Sequence, residues 1–351
     1  MFPLMKLPHT ALLNLLSTME PPEVLFLTTF IPSLRHIARR IQWPQKLLML
    51  GVHDNCICFG LFDKYAWKLD VSLKEFESVD NSKPRRIGEK LVDCGIDVYI
   101  DDGDRYIAIQ CTPADRANVF GILLDHLFHI FPLSPSVYCQ SHLESLLRLP
   151  TSLPIGRLDL MADEQRTPVS ANELDGILHN NPSLETLSFY RVSDITTNSK
   201  ILSVSNVVCY CGEVINREIL LAFSGHDIIL SETKLTTPDV IAFVRHWLDG
   251  GYQNLDTMFL LWNTLEFDLD EIKTEFNLHE DRPKKSPARY TRPIKHRELQ
   301  TVDIFDCTKA LDIERESDGQ LASIRVFQGN FFFYVWKDVL PMEQLSITDS
   351  P

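Results

Sequence analysis

No apolar run in these 351 residues approaches the ~18 that a membrane-spanning helix needs, so a transmembrane protein is not expected. Positive charge is in short supply: 34 Lys and Arg stand against 48 Asp and Glu, a formal net charge of -14. That balance disfavours general attraction to nucleic acid or anionic membrane, and any such contact needs a local basic patch. No Asn-x-Ser/Thr glycosylation acceptor occurs, proline being excluded at x, and the eight cysteines are scattered through long periodic segments rather than clustered. A reducing, intracellular setting, cytoplasmic or nuclear, is expected. The opening MFPLMKLPHTALLNLL is not read as a signal peptide, because Lys6, His9 and Asn14 interrupt it and no small-residue cleavage site follows.

Local catalytic signatures are missing too. There is no phosphate loop, no G-x-S-x-G elbow, no H-E-x-x-H pair and no G-x-G-x-x-G turn. A non-catalytic protein without cofactor or metal is the expectation, although a site assembled from distant residues would leave no such trace.

What is present is enough apolar residue, 44%, to bury a sizeable core in two or three packed units. Residues 1–43 read as three short helices. Leu12, Leu15, Leu16 and Met19 share one helical face; Glu20-Pro21-Pro22 breaks the pattern and starts a second helix carrying Val24, Leu25 and Leu27; Leu34, Ile37, Ala38 and Ile41 repeat the spacing. A unit this small makes a marginal core, so its apolar surface needs a cover. Either a partner supplies it or the helices cap their own downstream sheet, and periodicity does not distinguish the two.

Residues 44–131 alternate like strands (KLLMLGV, CICFGLF, YAWKLDV) around turns at His53-Asp54-Asn55 and Asp63-Lys64, and predict a small antiparallel sheet. IDVYIDDGDRYIAIQ adds a hairpin about Asp102-Gly103, and Pro113 is placed to open a helix. Residues 132–351 form the third expected part. From about Leu133 to Glu280, helix patterns precede short strands (ELDGILHNN then LETLSF; DVIAFVRHWLDGG then LDTMFLLW), as in an irregular leucine-rich-repeat-like segment or an unrepetitive α+β domain. Residues 281–297 hold seven Lys/Arg and one acidic residue between prolines and read as an exposed basic linker, with an import signal or phosphate-binding arm as the sharper alternative. Closing strands over 299–339 end in a β-hairpin. The fold class is therefore α+β.

Cys56-x-Cys58 near His53, and Cys209-x-Cys211, could supply soft metal ligands, but structural zinc sites favour C-x-x-C spacing, and residues two apart in a strand share one face as small buried side chains. Asp101-Asp102-Gly103-Asp104 lacks the ligand array of a calcium loop and reads as a turn. Trp247 reads as a core anchor of its helix, which Gly250-Gly251 ends.

The segment LPHTALLNLLSTMEPPEVLFLTTF resembles the F-box pattern through Leu7-Pro8, Leu12, Leu13, Leu15, Leu16, Met19, Glu20-Pro21, Leu25 and Leu27. It departs from that pattern at His9-Thr10, where the family carries an acidic residue, and at Ile31-Pro32-Ser33-Leu34, in place of a Cys-Lys-x-Trp-like run. FVRHWLDGGYQNLDTMFL resembles the nematode-expanded F-box-associated domain of the second type through Phe243, Trp247, Gly250, Gly251 and Leu255, as does the closing stretch through Asp312, Ile313, Arg315, Asp318, Gly319, Ala322, Val335 and Trp336. The resemblance implies a three-helix F-box over 1–43 that binds a Skp-type adaptor and, through it, a cullin. Leu7, Pro8, Leu12, Leu13, Leu15, Leu16, Met19, Pro21, Leu25 and Leu27 are the implied adaptor contacts. Leu7, Pro8, Leu12, Leu15, Leu16, Met19 and Pro21 are then expected to lie partly exposed in the isolated chain. The associated domain would bind an unidentified protein target for ubiquitination, with no membrane and no nucleic acid among the partners. The alternative is an interaction module that uses the F-box to bind the adaptor only; an unrecognised hydrolase or metal protein is the reading from another class.

Overall fold

In the computed structural model the described residues are 4–19, 21–43, 47–52, 56–63, 66–75, 83–87, 90–101, 104–112, 114–131, 137–142, 153–161, 168–262, 266–280, 284–291 and 304–337. The chain is mixed α+β, with eight α-helices among those residues. It divides into two compact units: Met1–Asp163 with Asn180–Leu184, and Glu164–His179 with Glu185–Pro351. The three-part division expected from the sequence differs from this. Residues 1–43 and the two strands Val137–Ser141 and Ile155–Leu160 all group with the first sheet, because the helices pack on it and the strands pair into it.

The first unit opens on α1 (His9–Ser17), α2 (Pro21–Phe30) and α3 (Arg35–Ala38). Leu34, Ile37, Ala38 and Ile41 are all buried, as their spacing predicts, but α3 is a single turn. Pro32, which has no N–H to donate, starts a 3-10 turn, Pro32–Leu34, that leads into it. The strands are β1 (Leu47–Val52), β2 (Cys56–Asp63), β3 (Ala66–Glu75), β4 (Lys83–Ile87), β5 (Lys90–Asp101) and β6 (Asp104–Cys111); after α4 (Arg116–Ile130) come β7 (Val137–Ser141) and β8 (Ile155–Leu160). Their order is β8-β7-β1-β2-β3-β6-β5-β4.

The expected antiparallel sheet is in fact mixed. β1, β2 and β3 pair antiparallel as their alternation predicts, and so do β4, β5 and β6. However, β6 lies parallel to β3, and the α4 crossover returns the chain so that β7 runs parallel to β1 and β8 parallel to β7. Asp101 pairs with Asp104, so the acidic stretch flanks a hairpin connection; Asp102-Gly103, Pro113, His53-Asp54-Asn55 and Lys64 lie outside the described residues. α2 lies against β3, β4 and β6, and α3 packs on α4.

In the second unit, β9 (Val169–Ser170) leads into α5 (Ala171–Asn180) and pairs with β11 (Val192–Ser193). The strands β10 (Thr186–Phe189), β12 (Asn206–Cys209), β13 (Asp227–Ser231) and β14 (Thr257–Leu261) are adjacent and parallel. They alternate with a 3-10 turn (Lys200–Ser203), α6 (Arg217–Leu221) and α7 (Thr237–Leu248). The units are unequal in length: 20 residues separate Thr186 from Asn206 and 30 separate Asp227 from Thr257, which are equivalent positions in the register. These positions form a buried polar row, in which Asn206 Nδ2 donates to Thr186 Oγ1 at 3.2 Å and Thr257 Oγ1 to Asp227 Oδ1 at 2.7 Å.

The sheet continues antiparallel through β19 (Asn330–Trp336), β18 (Leu321–Phe327) and β17 (Leu311–Glu314). One face carries α7, where Phe243 and Trp247 each meet the edge of Phe333 at 5.3 Å between centroids. The other holds Val208, Ile229, Phe259, Tyr334 and Trp336, with Tyr290 and Phe305 packed against them.

Of the exposed linker expected over 281–297, the described part keeps Lys284, Lys285, Ala288 and Arg289 exposed but is paired structure rather than a free connection. Arg289–Thr291 forms β15, paired with β16 (Ile304–Asp306). The Asp312 carboxylate accepts the N–H groups of Lys285 and Ser286 at 2.7 and 2.8 Å and both the Ser286 and Ser323 hydroxyls at 2.7 Å. Burial alone would raise the Asp312 pKa, but these donors outweigh it and hold the carboxyl below its ordinary range. Basic composition therefore disguised a strap whose cations find carbonyls and carboxylates: Lys284 donates to the Ala310 carbonyl at 3.0 Å, and Lys285 pairs with Glu314. Residues 281–283 and 292–303 lie outside the description.

Trp247 anchors α7 as its spacing predicts, and is fully buried. The helix ends on Gly250 at φ +90°, where a side chain would be strained, and on Gly251, where an added Cβ would stand 2.4 Å from His246 Nε2. Arg315 is buried over the Trp247 ring, 4.8 Å from its centroid, and its two-pronged bond to Asp318 measures 2.9 and 2.7 Å. Trp247→Ala is expected to cost about 3–5 kcal/mol, by loss of apolar burial and creation of a cavity beneath Arg315, read as a lowered midpoint of denaturant unfolding. A shift below about 1 kcal/mol would show that the ring is not the anchor.

Candidate docking surfaces

Seven large hydrophobic side chains are exposed among the described residues: Met5, Leu15 and Phe128 in the first unit, and Tyr190, Val214, Trp262 and Phe327 in the second. Single exposed hydrophobics are ordinary, but these two groups have a pattern.

In the second unit all four stand at one end of the sheet. Tyr190 follows β10, Val214 lies in the 3-10 turn (Gly212–Val214) after β12, Trp262 follows β14, and Phe327 closes β18 beside the turn into β19. Crevices at the carboxyl ends of parallel strands are where such sheets bind ligands. Tyr190 stacks on Tyr210 at 6.4 Å, and the Arg325 guanidinium lies 4.9 Å from the Phe327 centroid. Trp262 is 68% exposed with φ 48°, a left-handed conformation that a bulky residue rarely adopts. Its N–H donates to Asn330 Oδ1 at 2.7 Å, which holds the strained backbone in place. Trp, Tyr and Arg are the residue types that dominate interface energetics. The sequence reading missed this rim, although a signal exists: LSFY, VVCY and FLLW each end a short strand in an aromatic.

The ten implied adaptor contacts do not share one environment. Pro8 and Leu15 are exposed, Leu15 by 39%; Leu7, Leu13, Met19 and Leu27 are half-buried; Leu12, Leu16 and Leu25 are buried within the unit; the Pro21 side chain lies outside the description. The expectation that Leu12 and Leu16 lie partly exposed is corrected. Each faces inward in this conformation, in a bundle where α1 contacts α3.

The opposite side of the helices is sealed on their own sheet and on α4. Thr28 Oγ1 lies 3.2 Å from His126 Nε2, Arg35 donates to the Asp125 carbonyl at 3.2 Å, the His36 and His129 rings meet edge-on at 5.6 Å, and Trp43 meets Phe131 at 5.2 Å. His126 is 1% exposed, and its pKa is lowered to about 4 by burial first, then by the charge of Arg35 and by His129. It is neutral at pH 7.

Among the described residues no cluster of three or more His, Cys, Asp or Glu could hold a metal ion. Cys209 and Cys211 are buried, and burial pushes the Cys209 thiol up to about 12, the opposite of a metal-ready thiolate. His53 and the side chains of Cys56 and Cys58 lie outside the description. No described helix is long and apolar enough to cross a membrane. No family model, curated protein or solved structure matches this chain.

The His126 environment generates a pH dependence. Its native pKa of about 4 lies below the ordinary 6.5, so the unfolded chain takes the proton first. The contribution of His126 to stability is fully present above pH 6.5 and is lost towards pH 4, on the order of 3 kcal/mol. His126→Leu should flatten that slope in denaturant titrations across the window; an unchanged slope would assign it elsewhere. At the rim, Trp262→Gly should leave the midpoint unchanged or raise it by up to about 1 kcal/mol, because the left-handed strain is relieved and little packing is lost. A loss above that would mean the ring is packed.

Proposed function

We propose that this chain is the substrate-recognition subunit of a Skp-cullin-F-box ubiquitin ligase, acting in the cytoplasm or nucleus. The observation that carries the reading is the apolar surface left on the N-terminal helices at positions of the F-box resemblance, exposed Pro8 and Leu15 with half-buried Leu7, Leu13 and Met19. A Skp-type adaptor covers that surface and brings the cullin; the aromatic rim of the second unit holds the protein target. The chain itself needs no acid, base or nucleophile. It contributes by raising the effective concentration of target beside a recruited conjugating enzyme. The associated-domain resemblance falls on residues that build the second unit, Trp247, Arg315, Asp318 and Trp336 among them, which fits a scaffold role for those positions.

A second reading has its own support. The contacts of Thr28 with His126 and of Trp43 with Phe131 suit helices that only cap the sheet of their own unit. The two readings part on one experiment. Replacing Leu7 and Pro8 together with Ala should weaken binding of purified Skp-type adaptor at least about tenfold, roughly 1.4 kcal/mol, while the melting curve stays in place. Wild-type affinity with a lowered melting temperature would favour the cap. Adaptor captured from cells without cullin would favour an interaction module outside any ligase.

A further inference from the structure

The seam between the N-terminal helices and α4 carries a defect. Arg35 Nε, Trp43 Nε1 and His126 Nδ1 are buried without a hydrogen-bond partner among the described residues. Buried polar groups are nearly always paired, and each one left without a partner costs on the order of 1–3 kcal/mol. All three lie along one junction: Trp43 against Phe131, Arg35 over the Asp125 carbonyl, His126 against Thr28. The apolar groups around them are well buried, including Val24 and Leu25 on α2 and Leu127 and Ile130 on α4. Apolar burial closes this seam while stranded polar atoms oppose it, so its closure is weaker than its area suggests. Released, all three polar atoms would be hydrated.

We propose that α2 and α3 form a docked cap that releases from the β3–β6 face and α4 as a unit, and that the docked state withholds Leu25 and its neighbours from the adaptor. This rests on the adaptor-binding reading for its partner, but the docking equilibrium belongs to the chain alone. It accounts for a conflict in the site: Leu25, a position of the F-box resemblance on α2, is buried in the unliganded chain. The adaptor then binds the released helices, and its apparent affinity is reduced by the fraction that remains docked.

Two substitutions should move the equilibrium in opposite directions. Thr28→Val takes away the one hydrogen-bond partner that the His126 ring has among the described residues and loosens the seam. His126→Leu removes the stranded nitrogen but leaves Thr28 bonded to the Val24 and Leu25 carbonyls at 2.8 and 3.0 Å, and tightens it. Hydrogen exchange in the full-length chain should show α2 and α3 opening together, at rates well above those of the β1–β3 strands. Thr28→Val should speed that opening and strengthen adaptor binding about fivefold, and His126→Leu should slow it and weaken binding by a similar factor. The proposal is overturned if α2 and α3 exchange only with global unfolding. It is also overturned if either variant shifts adaptor affinity the other way, or neither shifts it at all. If the cap opens on its own but no form of the chain binds adaptor, the docking equilibrium stands and the ligase reading fails.

Discussion

The architecture of the second unit turns on where one guanidinium sits. Arg315 lies in the loop after β17, yet it covers the Trp247 ring at the end of α7 and donates to the Trp247 and Gly251 carbonyls at 3.4 Å. Those carbonyls belong to the end of a helix, where backbone acceptors lack partners and the macrodipole favours a cation. Asp318 completes the arrangement with two charge-assisted bonds, and Arg315 holds its carboxyl below the ordinary range. A buried cation without such partners would be costly. Because they are supplied by both the helix end and the β17–β18 turn, one side chain ties α7 to the antiparallel edge of the sheet, whose register with the parallel half is that of the β14–β19 ladder.

That lock has a functional corollary. With α7 packed on one face and Tyr290 and Phe305 on the other, exposed Tyr190, Val214 and Trp262 follow the carboxyl ends of the parallel strands. The aromatic residues gather there, on a backbone held by strand pairing and by the Asn330 bond to Trp262. Rigid elements presenting aromatic side chains lose little entropy on binding, which is what a recognition surface requires. The N-terminal helices are built on the opposite principle. Their apolar residues exceed what three short helices bury among themselves, and the surplus is divided between their own unit and solvent.

Much of the local structure was legible. Alternation in KLLMLGV, CICFGLF and YAWKLDV identified β1, β2 and β3, because side chains two apart in a strand face the same way. Helical spacing identified α1, α7 and the burial of Trp247, and Gly250-Gly251 marked the helix end, since a left-handed residue there favours glycine. The strap over 284–291 was not legible. Prolines and cations usually signal a solvated connection, and only Asp312 and the carbonyls of a distant strand, which have no sequence signature, turned it into packed structure.

The sequence by itself determined which residues are apolar, how they repeat and where the chain turns, because these depend on neighbours within a few positions. It thereby set the elements and the α+β class. Only the tertiary structure decided which strands pair, placing β6 beside β3 and β7 beside β1, because pairing partners are chosen by long-range packing and crossover geometry. It also decided which side of each apolar helix is covered. Periodicity gives Leu12, Leu15 and Leu16 one face, but the buried or exposed state of each depends on what lies opposite: Leu12 and Leu16 turn into the bundle and Leu15 remains in solvent.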